Sequence, residues 1–250
     1  MREVLYGRHA VYESLRAGRR QPFRLLLSER TLPAPIVDEI IAFAKAQRLR
    51  LEHVSRNELI RLAGSEQHQG VALETAEYPY ASIDEMLALA QARDEPPLLL
   101  LLDLIQDVQN LGSLMRTAEA VGVHGVIIQE RRAAGITPAT VNTSSGAVEH
   151  LLIAQVTNLP QEIERLKLVN VWVAALEEGY GARPYTSVDL TVPLALVVGN
   201  EGGGLRRLVR ERCDWLMQIP MRGDIKSLNA AVAGSVALYE VLRQRESTST

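Results

Sequence analysis

The sequence predicts an α/β protein whose C-terminal part is an open, mostly parallel sheet, preceded by a smaller α/β region. Three observations carry this. Leu98–Asp103, LLLLLD, is a continuous apolar run of the kind that forms a strand buried on both faces. From Pro97 onward such runs alternate with helical stripes, the pattern of βαβ units. Before it, residues 1–75 alternate shorter helix and strand patterns, and Pro79, Pro96 and Pro97 punctuate the passage between the two regions.

The elements follow in order. YGRHAVYESLRAG reads as a helix ended by Gly18. FRLLLSE is a short strand, and PIVDEIIAFAKAQRL is an amphipathic helix with Ile36, Ile40, Ile41 and Ala44 on one stripe. RLEHVS and HQGVALET are two more strands. Residues 77–96 have no strand pattern and one helix, SIDEMLALAQA, opened by a capping box of Ser82 and Glu85. They are expected to link a domain at 1–76 to one at 97–245. In the second region Leu111, Leu114, Met115, Ala118 and Val121 mark a helix after the first strand. HGVIIQ, LLIAQV, VWVAAL, PLALVVG and DWLMQIP then make six strands in all. Residues 246–250 are expected to be a disordered tail.

Composition narrows the class. A net charge of −3 argues against a uniformly basic nucleic-acid surface. The charge is uneven, however: residues 1–78 carry 12 Lys and Arg against 10 Asp and Glu, and an N-terminal basic face could meet phosphates. No apolar run reaches the ~18 residues of a membrane span. The single Cys213 and the scattered histidines offer no disulfide and no metal-ligand spacing, which fits a cytoplasmic protein without a metal.

Ligands of open parallel sheets bind beyond the carboxyl ends of the strands. Three polar segments fall at that edge: Asp103–Asn110, the glycine-rich turn Gly199–Gly204, and Pro220–Ser227. The turn GNEGGG lacks the G-x-G-x-x-G spacing and follows a late strand, so it is no dinucleotide fingerprint. Taken singly, each polar residue here has an ordinary explanation. Glu201 suits the first turn of a helix GLRRLVRER, Asn110 and Ser227 suit helix N-caps, and Arg116 suits a solvated pair with Glu119. Several such residues converging on one sheet edge are harder to ascribe to chance.

The segments NLGSLMRTA, LVVGNEGGGL and IPMRGDIKSLNAAVAGSVALYE resemble the three motifs of the SpoU family of RNA ribose 2′-O-methyltransferases, of the SPOUT superfamily. YGRHAVYESL and HQGVAL resemble the ribosomal-protein-like RNA-binding domain of the subgroup that methylates a guanosine in large-subunit (23S) rRNA. The resemblance implies a C-terminal fold with a deep trefoil knot and S-adenosylmethionine as cofactor. It implies that Gly199, Ile219 and Leu228 contact that cofactor, largely through backbone groups. It implies that Asn110, Arg116, Glu201, Ser227 and Asn229 form the catalytic and substrate-holding set. It also implies a homodimer through the C-terminal helix, whose Ala230, Ala231, Ala233, Gly234, Ser235 and Ala237 spread around the helix and leave one face for a neighbour. The first motif departs from the family, with Val108 where proline is frequent after Asp107, and a looser turn before Asn110 is expected.

The family's chemistry places a base near the ribose 2′-OH, and the resemblance puts Arg116 there. Arginine in water is a poor base, so Arg116 is either a base in an unusual site or a bidentate phosphate clamp, with a phosphate oxygen or water taking the proton. Two rivals stand beside the rRNA enzyme: the same chemistry on tRNA, and a catalytically silent RNA-binding ribosome-assembly factor.

Overall fold

The computed structural model describes residues 2–179, 181–200, 202–225 and 227–248. In chain order the elements are β1 (Arg2–Tyr6), α1 (Arg8–Ala17), β2 (Pro22–Ser28), α2 (Pro35–Ala46), β3 (Arg50–Val54), α3 (Arg56–Ala63), β4 (Val71–Ala76) and α4 (Ile83–Ala92). Then come β5 (Leu98–Asp103), α5 (Val108–Ala120), β6 (Gly125–Gln129), α6 (Pro138–Thr143), β7 (Ile153–Val156), α7 (Leu159–Leu168) and β8 (Trp172–Leu176). The last are β9 (Arg183–Pro184), β10 (Leu194–Gly199), α8 (Arg207–Arg212), β11 (Trp215–Gln218) and α9 (Ala230–Thr248). They form two compact units, Met1–Pro79 with Ile136–His150, and Tyr80–Gly135 with Leu151–Thr250.

The first unit has a four-stranded sheet in the order β1-β4-β2-β3, antiparallel except for the parallel β2–β3 pair. Leu5, Leu25, Leu26 and Leu73 fill its core. Local signals set its helices. Gly18, at φ +63°, ends α1, Pro35 opens α2, and the Ser55 hydroxyl accepts the Glu58 N–H at 3.2 Å to cap α3. Two elements escaped the sequence pattern. β1 precedes the first element read from the sequence, and it is a strand because its residues pair along β4. α3 is short, with a single buried residue, Leu59.

The segment 136–150, expected in the second domain, packs in this first unit. Asn142 Nδ2 donates to the Tyr6 carbonyl at 3.0 Å, and the Glu149 carboxylate takes the Arg20 Nε–H at 3.0 Å. Both side chains of that ion pair are fully buried. At Gly146, φ +86°, any Cβ would lie 2.5 Å from the Glu13 Cβ, so only glycine allows this approach.

The second unit is a seven-stranded, all-parallel sheet in the order β7-β6-β5-β10-β8-β11-β9. β5 is buried along its whole length, as its apolar run requires. The seventh strand, two-residue β9, is too short to leave a pattern. Residues 83–92, expected in a linker, form α4, whose capping box is present and whose Met86 belongs to the core of this unit. Gly125 is the matching gap: a Cβ there would lie 2.1 Å from the Met86 sulfur. α9 continues through Thr248, so residues 246–248, expected in a disordered tail, are helical. Among the described residues no helix is long and apolar enough to cross a membrane.

Candidate active site

The parallel register β5–β10 sets Asp103 beside Gly199 at the carboxyl edge of the sheet. From there the chain closes a tight loop. Asn200 bridges Gly204, whose N–H donates to the Asn200 carbonyl at 3.1 Å. The Asn200 side-chain oxygen accepts the N–H groups of Gly202 and Gly203 at 3.2 and 2.7 Å. A Cβ at Gly199 would lie 2.5 Å from the Gly204 carbonyl carbon, which makes glycine obligatory at this position. The buried Asp103 carboxylate then ties the loop down by accepting the Arg206 backbone N–H at 2.9 Å and its Nε–H at 2.7 Å. Glu201 lies outside the described residues, and the helix it was expected to head begins later, at Arg207.

Below this loop is a cleft of about 220 Å³. Gly199, Ile219 and Leu228, the three residues expected to touch cofactor, all line it, and so does Ser227. Two acids from the end of β8, Glu177 and Glu178, complete one wall. The Glu177 Oε2 is buried and has no hydrogen-bond partner among the described residues. A buried, unsatisfied acceptor in the wall of a cleft suits a ligand that brings donor groups. A second hollow, about 510 Å³, shares Asn200 with the first and is lined by Leu104–Asp107, Gly202 and Gly203.

Asn110 and Asn229 meet directly: the Asn229 Nδ2 donates to the Asn110 Oδ1 at 2.9 Å. Neither Asn110 nor Ser227 is a helix cap. Asp107 caps α5 by accepting the Asn110 N–H at 2.8 Å, and the Asn229 Oδ1 caps α9 by accepting the N–H groups of Ala231 and Val232. The turn before Asn110 is therefore held without proline. Asp107 caps it, the Ala134 N–H donates to the Ile105 carbonyl at 2.8 Å, and Gln106 Nε2 donates to the Arg132 carbonyl at 3.0 Å. Arg116 is exposed on α5, two turns past the cap, and is not among the residues lining the cleft.

Asp103, Asn200, Glu177 and Glu178 were not singled out in the sequence. Asp103 ends an apolar run and Asn200 lies inside the glycine turn, so both had a readable signal. The two glutamates look like any exposed loop acids, and only the strand order brings them to the cleft. Among the described residues no group of three or more His, Cys, Asp or Glu is placed to hold a metal ion.

Known proteins share this architecture. Residues 97–239 match the SpoU rRNA Methylase family and residues 4–81 match the RNA 2′-O ribose methyltransferase substrate-binding family. YacO of Bacillus subtilis, assigned to the TrmH family of tRNA/rRNA methyltransferases, is 40% identical over 243 residues, 97% of this chain and 96% of its own. The SpoU methyltransferase AviRb of Streptomyces viridochromogenes, solved with the cofactor AdoMet, superposes with a TM-score of 0.81 at 25% identity, covering 98% of this chain and 91% of its own. An AdoMet-bound rRNA methyltransferase from Sinorhizobium meliloti gives a TM-score of 0.77 at 25% identity, covering 97% of this chain and 87% of its own. Fold and matches together define the class, an RNA methyltransferase. The chain belongs to the SpoU rRNA methylase family.

Proposed function

We propose that this protein transfers the methyl group of S-adenosylmethionine to the ribose 2′-OH of a guanosine in large-subunit (23S) rRNA. The observation that carries the reading is the cleft itself. Gly199, Ile219 and Leu228 line one space, and Asn229, which follows Leu228 in the chain, holds Asn110. Those three residues would hold the cofactor, and Glu177 offers its buried oxygen to a hydroxyl or amino donor. When bound, the cofactor supplies an electrophilic methyl on a cationic sulfonium.

The protein's own task is to orient the ribose and receive its proton. Asn110, fixed by Asn229 and by the α5 cap, is suited to bind the sugar near the 2′-oxygen, and orientation of this kind is worth several orders of magnitude in rate. Ser227 and Glu201 join the substrate-holding set. Arg116 is exposed on α5, and a guanidinium is a planar fork of donors with no acceptor. That favours the clamp: a bidentate hold on a substrate phosphate, whose oxygen or a bound water takes the hydroxyl proton. The same reading includes the trefoil knot, supported by the insertion of β10 between β5 and β8 and by the loop closed against Asp103. It includes an RNA-binding role for residues 1–76, whose unit also takes in 136–150, and a catalytic role for the rest of 97–245. It also includes a homodimer through α9. On that helix Gly234 and Ala237 pack inside their own unit, while Val232 and Tyr239, one heptad apart, are 49% and 53% exposed.

The rRNA assignment rests on the full-length likeness to the S. meliloti rRNA enzyme. Mapping ribose methylation in rRNA and tRNA, with and without the gene, tests it. Loss of one 2′-O-methylguanosine from 23S rRNA is expected. Loss of a tRNA site alone would keep the chemistry and replace the substrate, and an unchanged map would leave the silent assembly factor.

A further inference from the structure

The first unit contains a cavity of about 520 Å³ that plays no part in the chemistry above. Its volume is within the ~300–1,000 Å³ of small-molecule sites. Arg8, Arg30 and Arg56 line it against a single carboxylate, Glu66. Arg8 uses its guanidinium to clamp two loops through neutral carbonyls, Gln69 at 3.2 Å and Leu32 at 3.1 Å, so its charge stays available to an anion.

His68 lines the same cavity and is only 4% exposed. Its Nδ1 accepts the Gly70 N–H at 3.0 Å, which leaves its proton on Nε2. Burial and the nearby Arg56 hold the ring below its usual pKa and keep it neutral. The Nε2–H has no acceptor among the described residues. A buried donor without an acceptor is costly, and such cases call for an explanation.

The walls are rigid. Gln69 holds φ +51°, its Oε1 accepts the Arg8 N–H at 2.9 Å, and Thr31 donates its hydroxyl to the Gly70 carbonyl at 2.9 Å. At Gly70 a Cβ would lie 2.6 Å from that Thr31 oxygen. A non-glycine residue in the left-handed region, held by its neighbours, is a pattern of binding sites.

We propose that this cavity takes one unpaired nucleotide of an RNA loop. Arg30 and Arg56 meet the phosphates with their forked donors, the His68 Nε2–H donates to the sugar or base edge, and the exposed Leu32 offers an apolar face to the base. The site rests on the RNA methyltransferase reading and adds to it a recognition point outside the methyl-transfer cleft.

The test uses the full chain and an unmodified in-vitro transcript of 23S rRNA, with binding measured by filter retention at several salt concentrations. Arg30→Ala and Arg56→Ala should each weaken binding about tenfold and lower the salt slope by about one. Their melting temperature and S-adenosylmethionine affinity should be unchanged. His68→Asn, which keeps an acceptor for the Gly70 N–H, should weaken binding with the salt slope unaltered. If His68→Asn fails to fold, the two exposed arginines decide the matter alone. Wild-type affinity and slope in both arginine variants would overturn the proposal, as would no binding of the transcript by the wild type. Guanosine monophosphate bound tightly and not displaced by the transcript would instead make this a free-nucleotide site and overturn the RNA assignment. A wild type that binds the transcript but not S-adenosylmethionine would sink the methyltransferase reading and leave this site standing.

Discussion

The Asn229 side-chain amide donates to the Asn110 oxygen at 2.9 Å, while the other end of the Asn229 amide caps α9. One side chain thus couples the start of the last helix to the first motif, 119 residues away. Asn229→Ala should cost about 1 kcal/mol of stability through the lost cap. It should also lower kcat about 100-fold, because Asn110 loses its orienting partner. In a double-mutant cycle with Asn110→Ala the kinetic effects should be strongly non-additive. Additive losses would show that the pair does not act as a unit.

Arg116 and Leu228 should fail in opposite ways. Arg116→Ala is expected to abolish methyl transfer while S-adenosylmethionine titrates normally, and Arg116→Lys should recover little, since an ammonium lacks the fork. Leu228→Arg should block the cleft and remove cofactor binding. Calorimetry beside initial rates separates the two. Near wild-type turnover by Arg116→Ala would dismiss both the clamp and the base.

In the first unit, Arg20 and Glu149 form a fully buried ion pair that joins the 136–150 segment to the N-terminal sheet. Burial pushes the Glu149 carboxyl up, and Arg20 opposes that shift. Arg20→Ala should therefore destabilise the protein by about 3–5 kcal/mol, leaving a buried carboxylate alone. Arg20→Met with Glu149→Leu should recover most of the loss, read from denaturant midpoints.

His124 makes acid stability predictable. Its ring is 1% exposed, with Nδ1 accepting the Leu98 N–H at 3.0 Å and Nε2 against Glu95. Burial holds its pKa below 6.5, helped by Arg93 and Arg245 and opposed by Glu95. The unfolded chain takes up this proton first as pH falls. The stability that His124 contributes is thus complete above pH 6.5 and lost as pH drops through the folded value. His68 acts in the same direction. The melting temperature should fall between pH 7.5 and 5.5, less steeply in His124→Asn.

Much of this protein was legible in its residues because its signals are local. LLLLLD, Gly18 and the Ser82–Glu85 box each state their own structure, and the three motifs named the family. What stayed hidden depends on distant partners. The 136–150 segment packs in the first unit through Asn142, Gly146 and Glu149, none of which marks its partner in sequence. β1 is a strand by virtue of β4. Asn229 read as one polar residue among several until its partner at Asn110 was in place, and Glu177 reaches the cleft only through the strand order β10-β8-β11.

The central claim is that the methyl group arrives on a ribose oxygen. Purified protein, methyl-labelled S-adenosylmethionine and unmodified 23S rRNA test it, followed by complete alkaline hydrolysis. A 2′-O-methyl group prevents cleavage at its own phosphodiester, so the account predicts label in alkali-stable dinucleotides that begin with guanosine. Label confined to mononucleotides would place the methyl on a base and contradict the account, and no transfer to any RNA would contradict it outright.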